Sequence, residues 1–408
     1  MGIERAKLYR FPWSRTDNPG GWVEVTDQCD ISCPGCYRHA LKGHRPLEEV
    51  KEDILACQRI TNCDMMAIAG GEPLIYPHIV EVVDFISRQK IKPVILTNGE
   101  KLTWELASDL KRAGLAKFHF HVDSLQERPG WTGKNETEMN KLRQQFADLV
   151  WELGGVQCGY NLTVFRSTLK YLPEIVEWCR DNIRKVQHIS LIAFRAIPLT
   201  DQMEYMVNGN KMDLNHLQNR TTNLDEIGIS TEEMHGILED HFADFRACSY
   251  LNGTATPETY KYLIAVHVGS PKRIYGTLGA RTVELSQAFY HFFKGKYSSF
   301  QKNPKAGKKI FLLSILDGEL RKAFRNFLKA VARNPLEIFQ AIYIQSIHLQ
   351  QPVEIHGGKV NLCDGCANMM VYKGKLINSC RLDEYRLLGG LITPIMRDNL
   401  RKQERVRT

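Results

Sequence analysis

Asp27-Gln28-Cys29-Asp30-Ile31-Ser32-Cys33-Pro34-Gly35-Cys36-Tyr37 is the stretch on which the reading of this 408-residue chain turns. Its cysteines are spaced C-x3-C-x2-C, so one short loop can present three thiolates to one centre, and thiolates are the usual ligands of iron–sulfur clusters. Three cysteines can hold three irons of a cubane. The fourth iron then has an open position, and an open position in a metal site is where chemistry takes place.

Around the loop, short β-branched runs alternate with longer amphipathic ones, the pattern of βα units and a parallel sheet. Strands are expected at Trp22 to Thr26, Met65 to Ala69, Val94 to Thr97, Phe118 to Val122, Tyr160 to Val164 and His188 to Ala193. Helices are expected near 46–60, 77–90, 103–113, 137–153 and 171–183. The cysteine loop follows the first strand directly, and in barrels of this kind functional residues sit at the C-terminal ends of strands.

The loop resembles that of the radical S-adenosylmethionine (radical SAM) enzymes, including the aromatic Tyr37 after the last cysteine. The resemblance runs over roughly residues 20 to 200 and implies a partial (β/α)6 barrel. Gly70-Gly71-Glu72-Pro73, after the second strand, is similar to the family's GGE motif for the amino group of the methionine moiety. Glycines let backbone approach a ligand closely, and a carboxylate accepts charge-assisted hydrogen bonds from an ammonium. Thr97-Asn98-Gly99 ends the third strand like the family's TNG, although Asn-Gly there is also an ordinary turn. His121-Val122-Asp123-Ser124 ends the fourth, where the family places polar residues near the ribose and carboxylate; Ser124 is the expected contact and His121 faces cofactor or substrate. Asn161 and Arg195 are named from position alone.

A second group, Cys363-Asp364-Gly365-Cys366 and Cys380, reads C-x2-C-x13-C. Lys373-Gly374-Lys375 between two β-prone arms predicts a hairpin returning Cys380 to the other two. A zinc site needs a fourth ligand, for which His356, Cys248 or Asp383 are candidates. The spacing also resembles the auxiliary-cluster motif of the GTP cyclases of molybdenum-cofactor synthesis, and more broadly the Twitch-type extensions of the superfamily. That resemblance implies a second four-iron, four-sulfur cluster whose fourth position is open or taken by one of those residues. It does not extend to the cyclase reaction: Gly389-Gly390 are followed by 18 more residues, unlike that family's C-terminal Gly-Gly tail.

The expected fold class is thus α/β, a partial (β/α)6 barrel with a helical insertion and a small C-terminal auxiliary-cluster domain. The divisions are an N-terminal extension (1–19), the barrel (20–200), a mixed then helical basic insertion (201–350, helical from Ser286 to Gln350) and the auxiliary-cluster domain (351–408). The remaining cysteines, Cys57, Cys63, Cys158, Cys179 and Cys248, read as small buried hydrophobes.

With 43% apolar residues the composition is globular, and the net charge is +8. Lys294 to Asn334 holds eleven Lys or Arg against two acids, which accounts for the whole excess. Within it, Leu320, Ala323, Phe324, Phe327, Leu328 and Val331 mark one face of a helix over Glu319 to Arg333, with Arg321, Lys322, Arg325, Lys329 and Arg333 on the remainder. Such a helix either packs on its own barrel with a solvated cationic face or lies on a membrane. No nucleic-acid module accompanies the charge, so nucleic acid is not expected. Met1 to Trp13 has no apolar signal-peptide run, and Gly2 lacks the Ser or Thr of a myristoylation signal. The expected location is cytoplasmic, with peripheral membrane contact through residues 294–334.

The resemblance implies reductive cleavage of S-adenosylmethionine to a 5′-deoxyadenosyl radical and hydrogen abstraction from a substrate, with a flavodoxin or ferredoxin as reductant. The metal ligands would be Cys29, Cys33, Cys36, Cys363, Cys366 and Cys380; the cofactor would be met by Gly70, Gly71, Glu72, Pro73, Asn98, Ser124 and Asn161. A lipid or isoprenoid-like amphiphile, membrane-derived, is the expected substrate, and a peptide the alternative. A non-enzymatic iron–sulfur electron carrier is the competing class.

Overall fold

The structure, a computed structural model, describes residues 3–36, 38, 43–301, 303–356 (His356 by its backbone only) and 358–397. Six strands, β1 (Gly20–Thr26), β2 (Met65–Gly70), β3 (Lys92–Thr97), β4 (Lys117–His121), β5 (Gln157–Val164) and β6 (His188–Ala193), alternate with five helices. These are α1 (Leu47–Thr61), α2 (Ile79–Arg88), α3 (Trp104–Arg112), α4 (Glu136–Leu153) and α5 (Leu172–Asp181). The strands lie side by side in chain order and all parallel, as the βα alternation requires. The helices bury one apolar stripe each, for example Ile79, Val82, Val83 and Ile86 of α2. Helix starts are set locally: Asn135 and Glu138 form a reciprocal capping box at α4.

Beyond residue 200 lie α6 (Thr231–His241), β7 (Ser249–Asn252), β8 (Tyr260–Ser270), β9 (Arg273–Thr277), α7 (Ala280–Lys294), α8 (Gly318–Arg333) and β10 (Tyr343–Gln350). The barrel sheet runs on through them. β10 pairs parallel with β6, β8 antiparallel with β10, and β7 antiparallel with β8, with Tyr9–Arg10 on its outer side. The expectation that Ser286 to Gln350 is helical throughout is therefore corrected at its end. Gln345, Ile347 and Leu349 are buried while their neighbours are half-buried, the period of two that marks a strand.

On the far side of β1, β11 (Met369–Tyr372) pairs parallel with it and β12 (Lys375–Asn378) closes the expected hairpin. Its turn residues Lys373 and Gly374 both have positive φ, at 47° and 75°, as a two-residue hairpin turn of the favoured hand needs. The helix α9 (Leu382–Leu388) follows. The segment leading into β11 is held from both ends of the barrel sheet: Cys363 bridges Gly253 beyond β7, while Met369 pairs with Gly21 of β1. The second cysteine group thus spans the seam where the barrel would otherwise be open.

The N-terminal end of the barrel is closed by α7 and the residues after it. Tyr290 Oη donates to Asp64 Oδ1 at 2.7 Å, Ser299 N to Asp64 Oδ2 at 3.0 Å, and Gln157 Nε2 to the Gln301 carbonyl at 2.6 Å. The apolar face of α8 is already occupied. Leu320, Ala323, Phe327 and Ala330 are buried, and the Phe327 ring lies 5.3 Å from Tyr275 and 5.2 Å from Phe311. Of the two settings open to this helix, a membrane surface or packing against its own protein with a cationic outer face, its buried stripe takes the second and forms a core with β9. No helix among the described residues is long and apolar enough to cross a membrane.

Candidate active site

The first cysteine loop is anchored by backbone. Gly71 N donates to Thr26 O at 2.9 Å and Glu72 N to Gln28 O at 2.8 Å, so the end of β2 lies flat against the start of the loop. A Cβ on Gly70 would meet Thr26 O at 2.2 Å, and one on Gly71 would meet Gln28 O at 2.1 Å. That contact is why two glycines stand here. Within the loop, Cys36 N donates to Cys33 O at 3.0 Å, closing a turn, and Gly35 packs under Phe165, whose ring stacks on Phe194. Tyr37 lies outside the described residues.

Cys29, Cys33, Cys36 and Glu72 line one cavity of about 770 Å³ inside the barrel, with Cys380 of the second group. Burial pushes the Cys33 and Cys36 thiols above their ordinary range; Arg195 counteracts this in part at Cys36. Buried thiolates need a strongly cationic centre, which is what an iron cluster supplies. The Arg38 amide donates to Cys36 Sγ at 3.4 Å, and the Asn368 amide to Cys366 Sγ at 3.4 Å. Both cysteine groups therefore carry the same N–H to sulfur bond two residues on. Among the described residues no three His, Cys, Asp or Glu side chains are gathered closely enough to hold a single metal ion.

Glu72 is almost wholly buried and accepts hydrogen bonds from Thr97 Oγ1 (2.6 Å), the Asn98 amide (2.7 Å) and the Leu74 amide (2.9 Å). Burial, opposed by these bonds, pushes its carboxyl up to about 7. A cation such as an amino group placed against it would restore the carboxylate, so the residues fit the methionine end of S-adenosylmethionine. Pro73 opens the short turn Pro73–Ile75 and is buried behind Glu72. Asn98 lines the cavity and donates to Asp30 Oδ1 at 2.6 Å, tying the third strand's turn to the cysteine loop.

The fourth strand's turn is arranged differently from expectation. Asp123, Leu125 and Gln126 line the cavity; Ser124 does not, and its amide donates to Glu136 Oε1 at 2.6 Å. Asp123 Oδ2 lies 3.0 Å from His121 Nε2 and accepts from the Thr163 amide at 3.3 Å. Asn161 and Arg195 do reach the cavity wall. Arg195 also donates to the Cys380 carbonyl at 3.0 Å. Behind these turns the buried Arg128 donates to Asn98 O (2.5 Å), His121 O (2.8 Å) and Gln126 Oε1 (2.9 Å) and bonds Glu100 at 2.6 Å, bracing the ends of β3 and β4 together.

Of the fourth-ligand candidates at the second group, Cys248 is buried with its thiol 3.2 Å from the Ile264 carbonyl, and Asp383 is ion-paired with Arg38 at 3.0 Å. The His356 side chain lies outside the described residues. Arg38 also pairs with buried Glu24, and Arg386 with Asp27, so α9 is bound electrostatically to the first cysteine loop.

Sequence reasoning missed the chamber's polar wall. Lys117, His119 and the already named His121 alternate with Phe118 and Phe120 along β4, the first set lining the cavity and the second buried under helices; that alternation is the signal that could have found Lys117 and His119. His119, His188 and His348 stack edge to face at 4.8 Å and 4.2 Å between ring centres. Burial lowers all three, His348 to about 3, so the imidazoles are neutral at physiological pH.

Residues 23–179 match the radical SAM superfamily model. Among curated relatives, a probable GTP 3′,8-cyclase of Methanocaldococcus jannaschii is 25% identical over 185 residues, 42% of this chain and 59% of that one. A GTP 3′,8-cyclase of Desulforamulus reducens is 36% identical over 110 residues, 25% of this chain and 34% of that one. The chain thus spans less than two thirds of either relative. A solved structure of Streptococcus suis SuiB bound to S-adenosylmethionine has a TM-score of 0.39 at 16% identity, covering 55% of this chain and 47% of that one. The three-cysteine loop and the Gly-Gly-Glu turn both lie within residues 23–179, the segment of this chain that is similar to the radical SAM superfamily, at the ends of neighbouring parallel strands.

Proposed function

We propose that the chain cleaves S-adenosylmethionine reductively and uses the resulting radical on an amphiphilic organic substrate held in the barrel. The observation that supports it is the single cavity lined by Cys29, Cys33, Cys36, Glu72 and Cys380. When bound, the cluster and S-adenosylmethionine supply a 5′-deoxyadenosyl radical able to abstract hydrogen from an unactivated carbon. Cys29, Cys33 and Cys36 hold the cluster, Glu72 holds the amino group, and Gly70 and Gly71 allow the close backbone approach. Asn98, Asp123 and Asn161 offer polar groups to the rest of the cofactor. Cys363, Cys366 and Cys380 hold a second four-iron cluster, and Arg195 steadies the segment between the two.

Substrate class is inferred from the middle of the chamber. Val94, Leu96, Ile192, Ile264, Val266 and Leu278 give it an apolar wall, suited to an alkyl or isoprenoid chain and to excluding water. The polar residues Lys117, Gln157 and Gln187 lie at the opposite end from the cysteine loop. A ferredoxin or flavodoxin is the proposed reductant, and a membrane contacted through residues 294–334 the proposed source of the amphiphile.

The test is anaerobic reconstitution followed by reduction with S-adenosylmethionine present. Cluster-loaded protein, with roughly eight irons per chain, should release 5′-deoxyadenosine, and the C29A/C33A/C36A variant should not. Loaded, reduced protein that releases none would sink the enzymatic reading and leave an electron carrier. Deuterium carried into 5′-deoxyadenosine from deuterated lipid, but not from deuterated peptide or GTP, identifies the substrate class.

A further inference from the structure

Ten of the fifteen large hydrophobic side chains exposed among the described residues fall between Phe289 and Phe339. The most exposed are Phe292, Phe293, Leu312, Ile315, Leu336 and Phe339, each 65–81% open. They stand on α7, the turn Lys308–Ile315 and the turn Pro335–Phe339. All three belong to the N-terminal end of the barrel: α7 is bonded to Asp64 ahead of β2, Pro335–Phe339 precedes β10, and Gly307 N donates to Ile342 O at 3.3 Å. A concentration of bare phenyl and aliphatic groups on one end exceeds the scattered exposure of ordinary surfaces.

The charge around these groups has one sign. Lys294 to Asn334 carries eleven Lys or Arg and two acids. Of the acids, Asp317 is buried, accepting from the Leu320 amide (2.9 Å) and Thr282 Oγ1 (2.8 Å), and Glu319 pairs with Lys322 at 2.7 Å. Nearby Glu337 is also buried, against Tyr275. The surface presented outward is apolar and cationic together.

We propose that this end of the barrel docks on an anionic phospholipid bilayer. The exposed rings and aliphatic chains enter the boundary between headgroups and acyl chains, and the lysines and arginines meet lipid phosphates. A second copy of this chain is the poorer occupant, because a two-fold contact would bring the same cationic patch against itself. Nucleic acid would satisfy the charge and leave the phenyl groups in water. The turn Lys308–Ile315 serves both sides: Ile310 and Leu313 line the chamber while Leu312 and Ile315 face out. Docking requires only this surface, whereas delivery of substrate into the chamber rests on the amphiphile reading above.

Cluster-loaded protein of all 408 residues is floated with vesicles of phosphatidylcholine alone and of phosphatidylcholine with about 30% phosphatidylglycerol. Binding should need the anionic lipid, and should fall by roughly tenfold in F292S/F293S/F339S and in a variant with Arg321, Lys322, Arg325, Lys329 and Arg333 changed to Gln. Cleavage of S-adenosylmethionine in lipid-free solution, read in parallel, should be unchanged in F292S/F293S/F339S. Equal flotation of wild type and F292S/F293S/F339S overturns the proposal, as does wild type that stays with the buffer. So does sedimentation of wild type as a dimer that the phenylalanine variant dissolves. Loss of cleavage with flotation intact would instead count against the chemistry assigned to the chamber.

Discussion

Lys117 Nζ lies 3.9 Å from the centre of the Phe300 ring, at the end of the chamber farthest from the first cysteine loop. Phe300 is held there by Lys92 Nζ, which donates to its carbonyl at 2.9 Å while pairing with Asp64 at 2.7 Å. The basic insertion therefore closes the barrel with an aromatic face against a buried ammonium, a contact favourable once water is gone. It does not offset burial: desolvation, with Lys92 nearby, lowers Lys117 to about 7.

The K117M variant should be more stable at neutral pH and below, by on the order of 3 kcal/mol, since a charge is no longer taken out of water. An unfolded lysine keeps its proton to about 10.5 and the folded one releases it near 7. Between these values the unfolded chain binds more protons, so wild-type stability gains from rising pH and K117M should lose that gain. Urea melts of both proteins at pH 6 and pH 9 measure it. A pH dependence identical in both would show that folded Lys117 keeps its proton up to pH 9 and that burial does not lower it.

Glu72→Gln should weaken binding of S-adenosylmethionine by about 2 kcal/mol, roughly 30-fold, with the fold retained because the amide oxygen in the Oε1 position still accepts from Leu74 and Thr97, while the Asn98 amide loses its acceptor. The ligand-free carboxyl titrates at about 7, so an incoming ammonium must displace a proton below that pH. Wild-type affinity should fall as pH drops from 8 to 6, and Glu72→Gln should be nearly flat. Calorimetric titration at both pH values reads both effects.

Arg38→Met should cost about 3 kcal/mol, because it takes from Glu24 and Asp383 their nearest cation and leaves them with Arg386, at 4.0 Å and 3.5 Å. Arg38→Met combined with Glu24→Met should recover part of the loss. Additive effects in the double-mutant cycle would mean that Arg38 and Glu24 do not couple the cysteine loop to β1.

Replacing Cys363, Cys366 and Cys380 together by Ala should reduce iron from roughly eight to roughly four per chain while reductive cleavage of S-adenosylmethionine persists. Metal analysis that still finds about eight irons would reassign the second cluster's ligands.

The cysteine loop, the Gly-Gly-Glu turn, the six strands and their order were legible because each depends on local pattern. A thiol triad, a glycine forced by close backbone approach and a period of two are all written in neighbouring residues. Ser124 was misplaced because which of two adjacent turn residues faces inward is set by packing, here by the Glu136 carboxylate that takes the Ser124 amide. The basic helix was read correctly as amphipathic, yet its apolar stripe was already spoken for by Tyr275 and Phe311.

By itself the sequence determined where the candidate residues stand along the chain: Cys29, Cys33 and Cys36 after one strand, Glu72 after the next, and a second cysteine trio far downstream. Only the tertiary structure decided that Cys380 of the second trio lines the same chamber as the first trio, since residues more than 320 apart meet through the seam between β7 and β1. It alone decided which apolar residues stay uncovered. Burial is a property of the whole packed chain, and the bare faces of α7 and Pro335–Phe339 differ from the covered face of α8 only in what folds against them.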